Sequence, residues 1–163
     1  RWSRTVPEET RAPTRSEPRA VPALSPGPMS KRFHAASIKG IGSLSGSILL
    51  SVIGDIHDFE NEGKLAAYFG IVPRVSKSNE TERSGGITKR GSKLGRTALV
   101  QCALIAQRYS PYLKRYYEKI KARRGTGKAI IALARKLLGI IYRTLKNNWV
   151  FADFPNFVLA GEA

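Results

Sequence analysis

Residues 70–96, GIVPRVSKSNETERSGGITKRGSKLGR, divide the chain into apolar segments before them and apolar segments after. From Arg74 to Arg96 the stretch carries Arg74, Lys77, Arg83, Lys89, Arg90, Lys93 and Arg96 against only Glu80 and Glu82. Ser76, Ser78, Thr81, Ser84, Thr88 and Ser92 stand among them. Neither a helical nor an alternating apolar period runs through it, so it predicts a long loop rather than a helix or a core strand. A small hairpin around Val75 and Ile87 is compatible with that loop. Long loops inside compact domains are uncommon and usually functional. Hydroxyls interleaved with cations can hold a phosphodiester and offer it an oxygen nucleophile.

The rest of the chain is just as one-sided in charge. Its 163 residues carry a formal net charge of +16, which bears on partners rather than on fold and favours a polyanion. The length suits one domain plus a tail and is enough to bury a sizeable core. A single cysteine, Cys102, lies in an apolar run and reads as a small core residue of a cytoplasmic protein. No apolar run approaches the roughly 20 residues of a membrane span.

Upstream, residues 1–30 are rich in proline and arginine and predict a disordered tail. Met29 is the only methionine, and the reading is of a translated remnant fused ahead of a start there. Residues 31–150 form the helical domain and 151–163 a C-terminal tail. Ile38-Lys39-Gly40-Ile41-Gly42 is a glycine-punctuated turn followed by apolar residues Leu44, Ile48 and Val52 at helical spacing. Helix, Gly-Ile-Gly turn, helix is the pattern of a helix-hairpin-helix, whose backbone N–H groups can hold a phosphate; an ordinary helical corner has the same pattern. A short helix then runs from Phe59 to Phe69, with Asp55 and Asp58 expected to cap it. Gly70 and Pro73 stop it.

Downstream, Leu94 to Arg108 predicts a buried helix, apolar around much of its circumference. Ser110-Pro111 is a start signal, a serine N-cap with proline at the first helical position. Leu113, Tyr116, Tyr117 and Ile120 follow at core spacing, and Arg123-Arg124-Gly125 ends that helix. Thr126 is expected to cap the last one, whose stripe is Leu133, Leu137, Ile140 and Ile141. Lys128, Arg135, Arg143 and Lys146 fall on another of its faces. Between Lys114 and Lys146 stand eleven basic residues and one acidic, Glu118, a pattern better matched to a phosphate backbone than to solvent. The aromatic tail after Asn147 is expected to fold back on the bundle.

Several chemistries lack their residues. The histidines, His34 and His57, are isolated and no CxxC pair exists, which argues against zinc. No Walker or dinucleotide signature appears, and no set of convergent carboxylates suggests a two-metal site.

Four blocks carry a family resemblance. IKGIGSLSGSILLSVIGDIHDF, KLAAYFGIVPRVSKS, SGGITKRGSKLGRTAL and KAIIALARKLLGIIYRTLKN follow one another between Ser37 and Asn148. In order and spacing they resemble the C-terminal domain of bacterial insertion-sequence transposases of the RNA-guided DEDD type. The resemblance implies a DNA transposase, or site-specific recombinase, in which a serine shortly after a Gly-hydrophobic-x-Pro-Arg motif attacks a DNA phosphodiester. The motif here is Gly70-Ile71-Val72-Pro73-Arg74, and the implied nucleophile is Ser78, with Ser76 in reserve. Family members often have glycine after that serine, where this chain has Asn79. The resemblance further implies a structured guide RNA, an oligomeric enzyme, and a divalent metal, magnesium, held by a RuvC-like acidic domain to which residues 1–28 bear no likeness. This chain is expected to hold no cofactor of its own and to bind DNA without cutting it alone.

The expected fold is all-α, a compact bundle of five or six short helices with one long basic surface loop. Expected nucleic-acid contacts are Gly40, Gly42, Arg74, Lys77, Arg83, Lys89, Arg90, Lys93, Lys128, Arg135 and Arg143, and the expected location is cytoplasmic, at the nucleoid, with no membrane contact. Two other readings stand beside the transposase: a non-catalytic basic helix-hairpin-helix protein binding DNA or RNA, and an inactive translated fragment.

Overall fold

The computed structural model describes residues 35–78 and 81–159, and of residues 75–78 and 81–84 the backbone alone. The expectations for residues 1–30 therefore lie outside the described residues, as does most of the helix expected before Gly40.

Five helices make the domain: α1 (Ser43–Ile53), α2 (Glu62–Tyr68), α3 (Lys93–Tyr109), α4 (Pro111–Arg124) and α5 (Thr126–Lys146). The last is the axis of the bundle. Its apolar stripe wraps so far round that Leu133, Ala134, Leu137, Leu138, Ile140, Ile141 and Leu145 are all buried. Helices α2, α3 and α4 each pack on α5, while α1 lies against α3. A helix so placed needs small residues where neighbours press in. At Gly139 a Cβ would sit 2.7 Å from the Glu62 carboxylate.

Sequence signals fix most helix ends. Ser110 accepts the Leu113 N–H, with Pro111 at the first position of α4. Ser92 caps α3 by accepting the Gly95 N–H at 3.0 Å. Gly70, just past α2, and Gly125, between α4 and α5, have φ of 67° and 80°, which glycine adopts freely. Two cap expectations are corrected. Asp55 caps a 3-10 turn at Ile56–Asp58, to which Asp58 itself belongs, and Asn61 caps α2 by accepting the Lys64 N–H. Thr126 is the first residue of α5, not its cap; Gly125 holds that place and has no side chain to bond.

The apolar faces are also narrower than the sequence pattern drew them. Leu44 is 74% exposed and Leu94 61%, because both lie at first turns that project past the neighbouring helix. Ile105 is exposed as well, so α3 buries the single face of Ala98, Leu99, Cys102, Ala103 and Ala106 and not most of its circumference.

The long basic segment is for most of its length the hairpin that its sequence allowed around Val75 and Ile87, with residues 88–92 irregular. It is an antiparallel hairpin, β1 (Pro73–Ser78) and β2 (Thr81–Ile87), in which Val75, Ser76, Lys77 and Ser78 pair with Ser84, Arg83, Glu82 and Thr81. Between the Val75 and Pro73 pairings the register shifts, β2 contributing the extra residue at Gly85-Gly86, a bulge. Period-two patterning could not reveal this pair, because polar residues occupy both of its alternating sets. The tail behaves as expected: β3 (Phe151–Asp153) and β4 (Val158–Leu159) pair, Phe154 is buried, and Phe151 donates its N–H to Ser37 Oγ. Trp149 stays exposed.

Candidate nucleic-acid interface

The hairpin is held at its root, and the root is built from three backbones in contact. Thr88 N–H donates to the Val72 carbonyl at 2.9 Å and Lys89 N–H to the Gly70 carbonyl at 3.0 Å. Here Lys89 itself has φ of 56°, an uncommon conformation for a side-chain-bearing residue outside the Asn and Asp types. A Cβ on Gly70 would fall 1.8 Å from the Arg90 carbonyl oxygen, and one on Gly91 would fall 2.0 Å from that of Tyr68. Only glycine permits these approaches.

Arg96, half-buried in the first turn of α3, closes the root. Its Nη1 donates to the carbonyls of Phe69, Arg90 and Gly91 at 3.3, 3.4 and 3.2 Å. All three acceptors are neutral, so its charge is not cancelled there. Arg74 Nη2 donates to the Thr88 carbonyl at 3.4 Å across the same root. Lys89, Arg90 and Lys93 stay exposed beside it. No acidic residue stands in the first turn of α3, where the helix dipole would favour one. This end of the domain is thus a fixed cluster of cations.

Ser78 and Ser76 lie on β1, paired with Thr81 and Arg83. The side chains of both serines, and of Lys77 and Arg83, are outside the described residues. Gly40 and Gly42 sit in different surroundings. Gly40 has φ of 109° and packs on α3, where its Cβ would come 2.7 Å from Ala106 N; its glycine serves helix packing. Gly42 is exposed and starts α1 without a side-chain cap.

The basic face of α5 divides in two. Arg143 donates to Glu62 Oε2 at 3.1 Å, and Lys146 Nζ donates to the Phe59 carbonyl and to Tyr142 Oη at 3.1 and 2.8 Å. These two cations hold α2 and the preceding turn against α5, so Arg143, expected as a nucleic-acid contact, has a carboxylate partner. Lys128 and Arg135 are exposed. Arg135, Lys136 and Arg143 line one shallow depression with Glu62.

Ile131, one turn from both Lys128 and Arg135, lines a second depression together with the hairpin root and α3. Lys128 and Arg135 thus lie on α5 within a turn of a residue that shares this groove with the root, and Arg96 is the one cation in the lining itself. Sequence reasoning missed the part played by Arg96 in the root, and it missed Gln101 and Ile131 in the groove. The available signal was Gly70 and Gly91, which bracket a segment whose backbones must touch. Among the described residues no group of three or more His, Cys, Asp and Glu side chains comes together, and no helix is long and apolar enough to cross a membrane.

A mostly helical domain carrying a cationic hairpin on a rigid root is the class that fold and surface define. Comparison with known proteins names the family. Residues 34–118 match the Transposase IS116/IS110/IS902 family, and the chain belongs to it. It is 37% identical over 117 residues to a transposase for insertion sequence element IS1111A of Coxiella burnetii, covering 67% of this chain and 31% of that protein. It is 36% identical over 120 residues to a pilin gene-inverting protein of Moraxella lacunata, covering 71% and 37%. A probable family 20 transposase of Pseudomonas aeruginosa is 30% identical over 113 residues, covering 67% and 33%. The chain spans about a third of the length of these relatives.

Proposed function

We propose that this chain is the DNA-holding, serine-bearing portion of a transposase or site-specific recombinase. Ser78 would be its nucleophile and Ser76 the alternative. The observation that carries the reading is the hairpin root. Glycine contacts and the Arg96 guanidinium fix it, and it sets Arg74, Lys89, Arg90 and Lys93 beside the strands that carry both serines.

The chemistry is a phosphodiester exchange. Serine Oγ forms a bond to phosphorus, one strand P–O bond breaks, the serine proton passes to a base, and the departing strand oxygen takes up a proton. Rejoining reverses these steps, so no outside energy source is needed. A serine hydroxyl is a weak nucleophile and needs a base or strongly positive surroundings. The root cations supply the second, stabilising the charge that builds on the attacked phosphate. The divalent ion that the resemblance implies does not fit here: no acidic cluster stands among the described residues. Base and ion would come from the remainder of the assembly. The cations distinguish poorly between DNA and structured RNA, since both offer phosphates, so a guide RNA and self-association belong to the proposal.

The test uses a chimera in which this chain replaces the matching third of the Coxiella burnetii relative. Incubated with element-end DNA and magnesium, the chimera is expected to give a covalent protein–DNA adduct that survives denaturation. Ser78→Ala abolishes it and Ser76→Ala does not, and the isolated chain forms none. Loss of the adduct with Ser76→Ala alone would transfer the role to Ser76. Salt-dependent binding with no adduct from any form would leave the non-catalytic nucleic-acid-binding reading.

A further inference from the structure

We propose that the groove between the hairpin root, α3 and α5 receives a single unstacked nucleobase from the strand that the surrounding cations hold. This inference rests on the nucleic-acid-binding reading above and adds a site to it. The groove has a volume of about 230 Å³ and is open on one side. Its walls are aliphatic: Ile71 and Ile87 from the root, Val100 from α3 and Ile131 from α5. Ile71 is buried while the other three are half-exposed, so among the described residues part of this apolar surface faces solvent.

Three features select the occupant. The volume is below the roughly 300–1,000 Å³ of pockets for drug-sized ligands, which suits one flat ring system. The polar groups of the lining are Arg96, Thr97 and Gln101, with no carboxylate among them. Thr97 donates its hydroxyl proton to the Lys93 carbonyl at 3.0 Å, leaving its oxygen as an acceptor. The exposed Gln101 amide offers both a donor and an acceptor, the pairing that reads a base edge. The rim is cationic on two sides, with Lys93 one turn before Thr97 and Lys128 one turn before Ile131. A protein segment seated here would have to bring acidic residues to both sides. A nucleotide strand brings a phosphate on each side of every base. Apolar side chains are an accepted sandwich for an extruded base, and extrusion is cheapest where the base is already unpaired.

The experiment compares the binding of this chain to a duplex with one bulged adenine and to the same duplex fully paired, by fluorescence anisotropy. A seated base is expected to favour the bulged duplex about tenfold. Ile131→Trp fills the groove and brings that ratio towards one. Gln101→Ala, at an exposed position of the lining, lowers it in part. Ile105→Trp, on the exposed face of α3 outside the groove, leaves it as in the wild type. A wild-type ratio of one, with salt-sensitive binding to both duplexes, overturns the groove assignment and leaves DNA binding standing. Binding to neither duplex overturns DNA binding itself. Loss of self-association in Ile131→Trp, measured by sedimentation, with an unchanged ratio would assign the groove to a second copy and also overturn the proposal.

Discussion

Arg96 shows what one side chain can contribute when its partners are backbone. Its guanidinium ties the end of α2 to the segment that enters α3, through carbonyls of Phe69, Arg90 and Gly91. All three bonds leave one nitrogen, Nη1, whose two N–H groups are shared among the carbonyls, and the planar guanidinium holds that nitrogen in place and stays charged. Lysine has a single ammonium on a flexible stem. Arg96→Ala is therefore expected to destabilise the domain by about 1.5–3 kcal/mol, the range for hydrogen bonds to a charged group, and Arg96→Lys to restore only part of that. The loss should be local. Amide exchange at Thr88 and Lys89, whose N–H groups bond across the root, should accelerate in Arg96→Ala more than exchange in α5. Equal acceleration throughout would make Arg96 an ordinary packing residue. No spacing rule announces such a role, since its acceptors lie up to 27 residues away and are not side chains.

At the scale of elements, what the sequence revealed depended on whether an element buries one face. The helices do, and Ser110-Pro111, Gly70 and the stripe Leu133, Leu137 and Ile141 marked them correctly. The hairpin carries no such stripe in its sequence: its residues are polar on both alternating sets, and Ile71 at its root joins the core. A strand pair with no apolar side leaves period two without contrast. The cation stripe of α5 was drawn correctly by helical spacing, but spacing could not say which members would be taken up by Glu62 and by the Phe59 carbonyl. Cys102, assigned to the core from its apolar run, sits in the seam of α1 and α3, and there burial pushes its thiol pKa up, with the Ser45 hydroxyl opposing that rise. The sign for stability follows. Below the ordinary thiol value of 9.0 both states keep the proton; above it the unfolded chain ionises first and gains free energy. Stability should begin to fall as pH rises past the ordinary thiol value of 9.0, and Cys102→Ala should flatten part of that fall, as read from urea midpoints. An identical slope in the variant would show that the seam admits the thiolate freely.

For the whole molecule, the question is whether the net charge of +16 is spread evenly or directed to one place. The described surface gathers some of it at the root and α5, and α4 exposes Lys114, Arg115, Lys119, Lys121, Arg123 and Arg124 as well, so the two cases need a test. Arg74, Lys89, Arg90 and Lys93 stand about the hairpin root, and Lys128 and Arg135 lie on α5 within a turn of Ile131, which lines the groove, while Arg143 and Lys146 are engaged within the protein. If these six cations, none with a carboxylate partner among the described residues, each meet a phosphate, a plot of log affinity against log salt should have a slope of roughly −5 on duplex DNA. Removing Lys128 or Arg135 should weaken binding to every sequence and reduce the slope by about 1 each. Lys119, exposed on α4 away from the groove, is the control. Its removal lowers the net charge equally, so a diffuse field would register all three substitutions alike, whereas a directed interface passes over Lys119. Titrations of the four proteins at several salt concentrations separate these outcomes. An equal change of slope in all three variants would mean that charge attracts the polyanion from every direction and that the root and α5 form no common face.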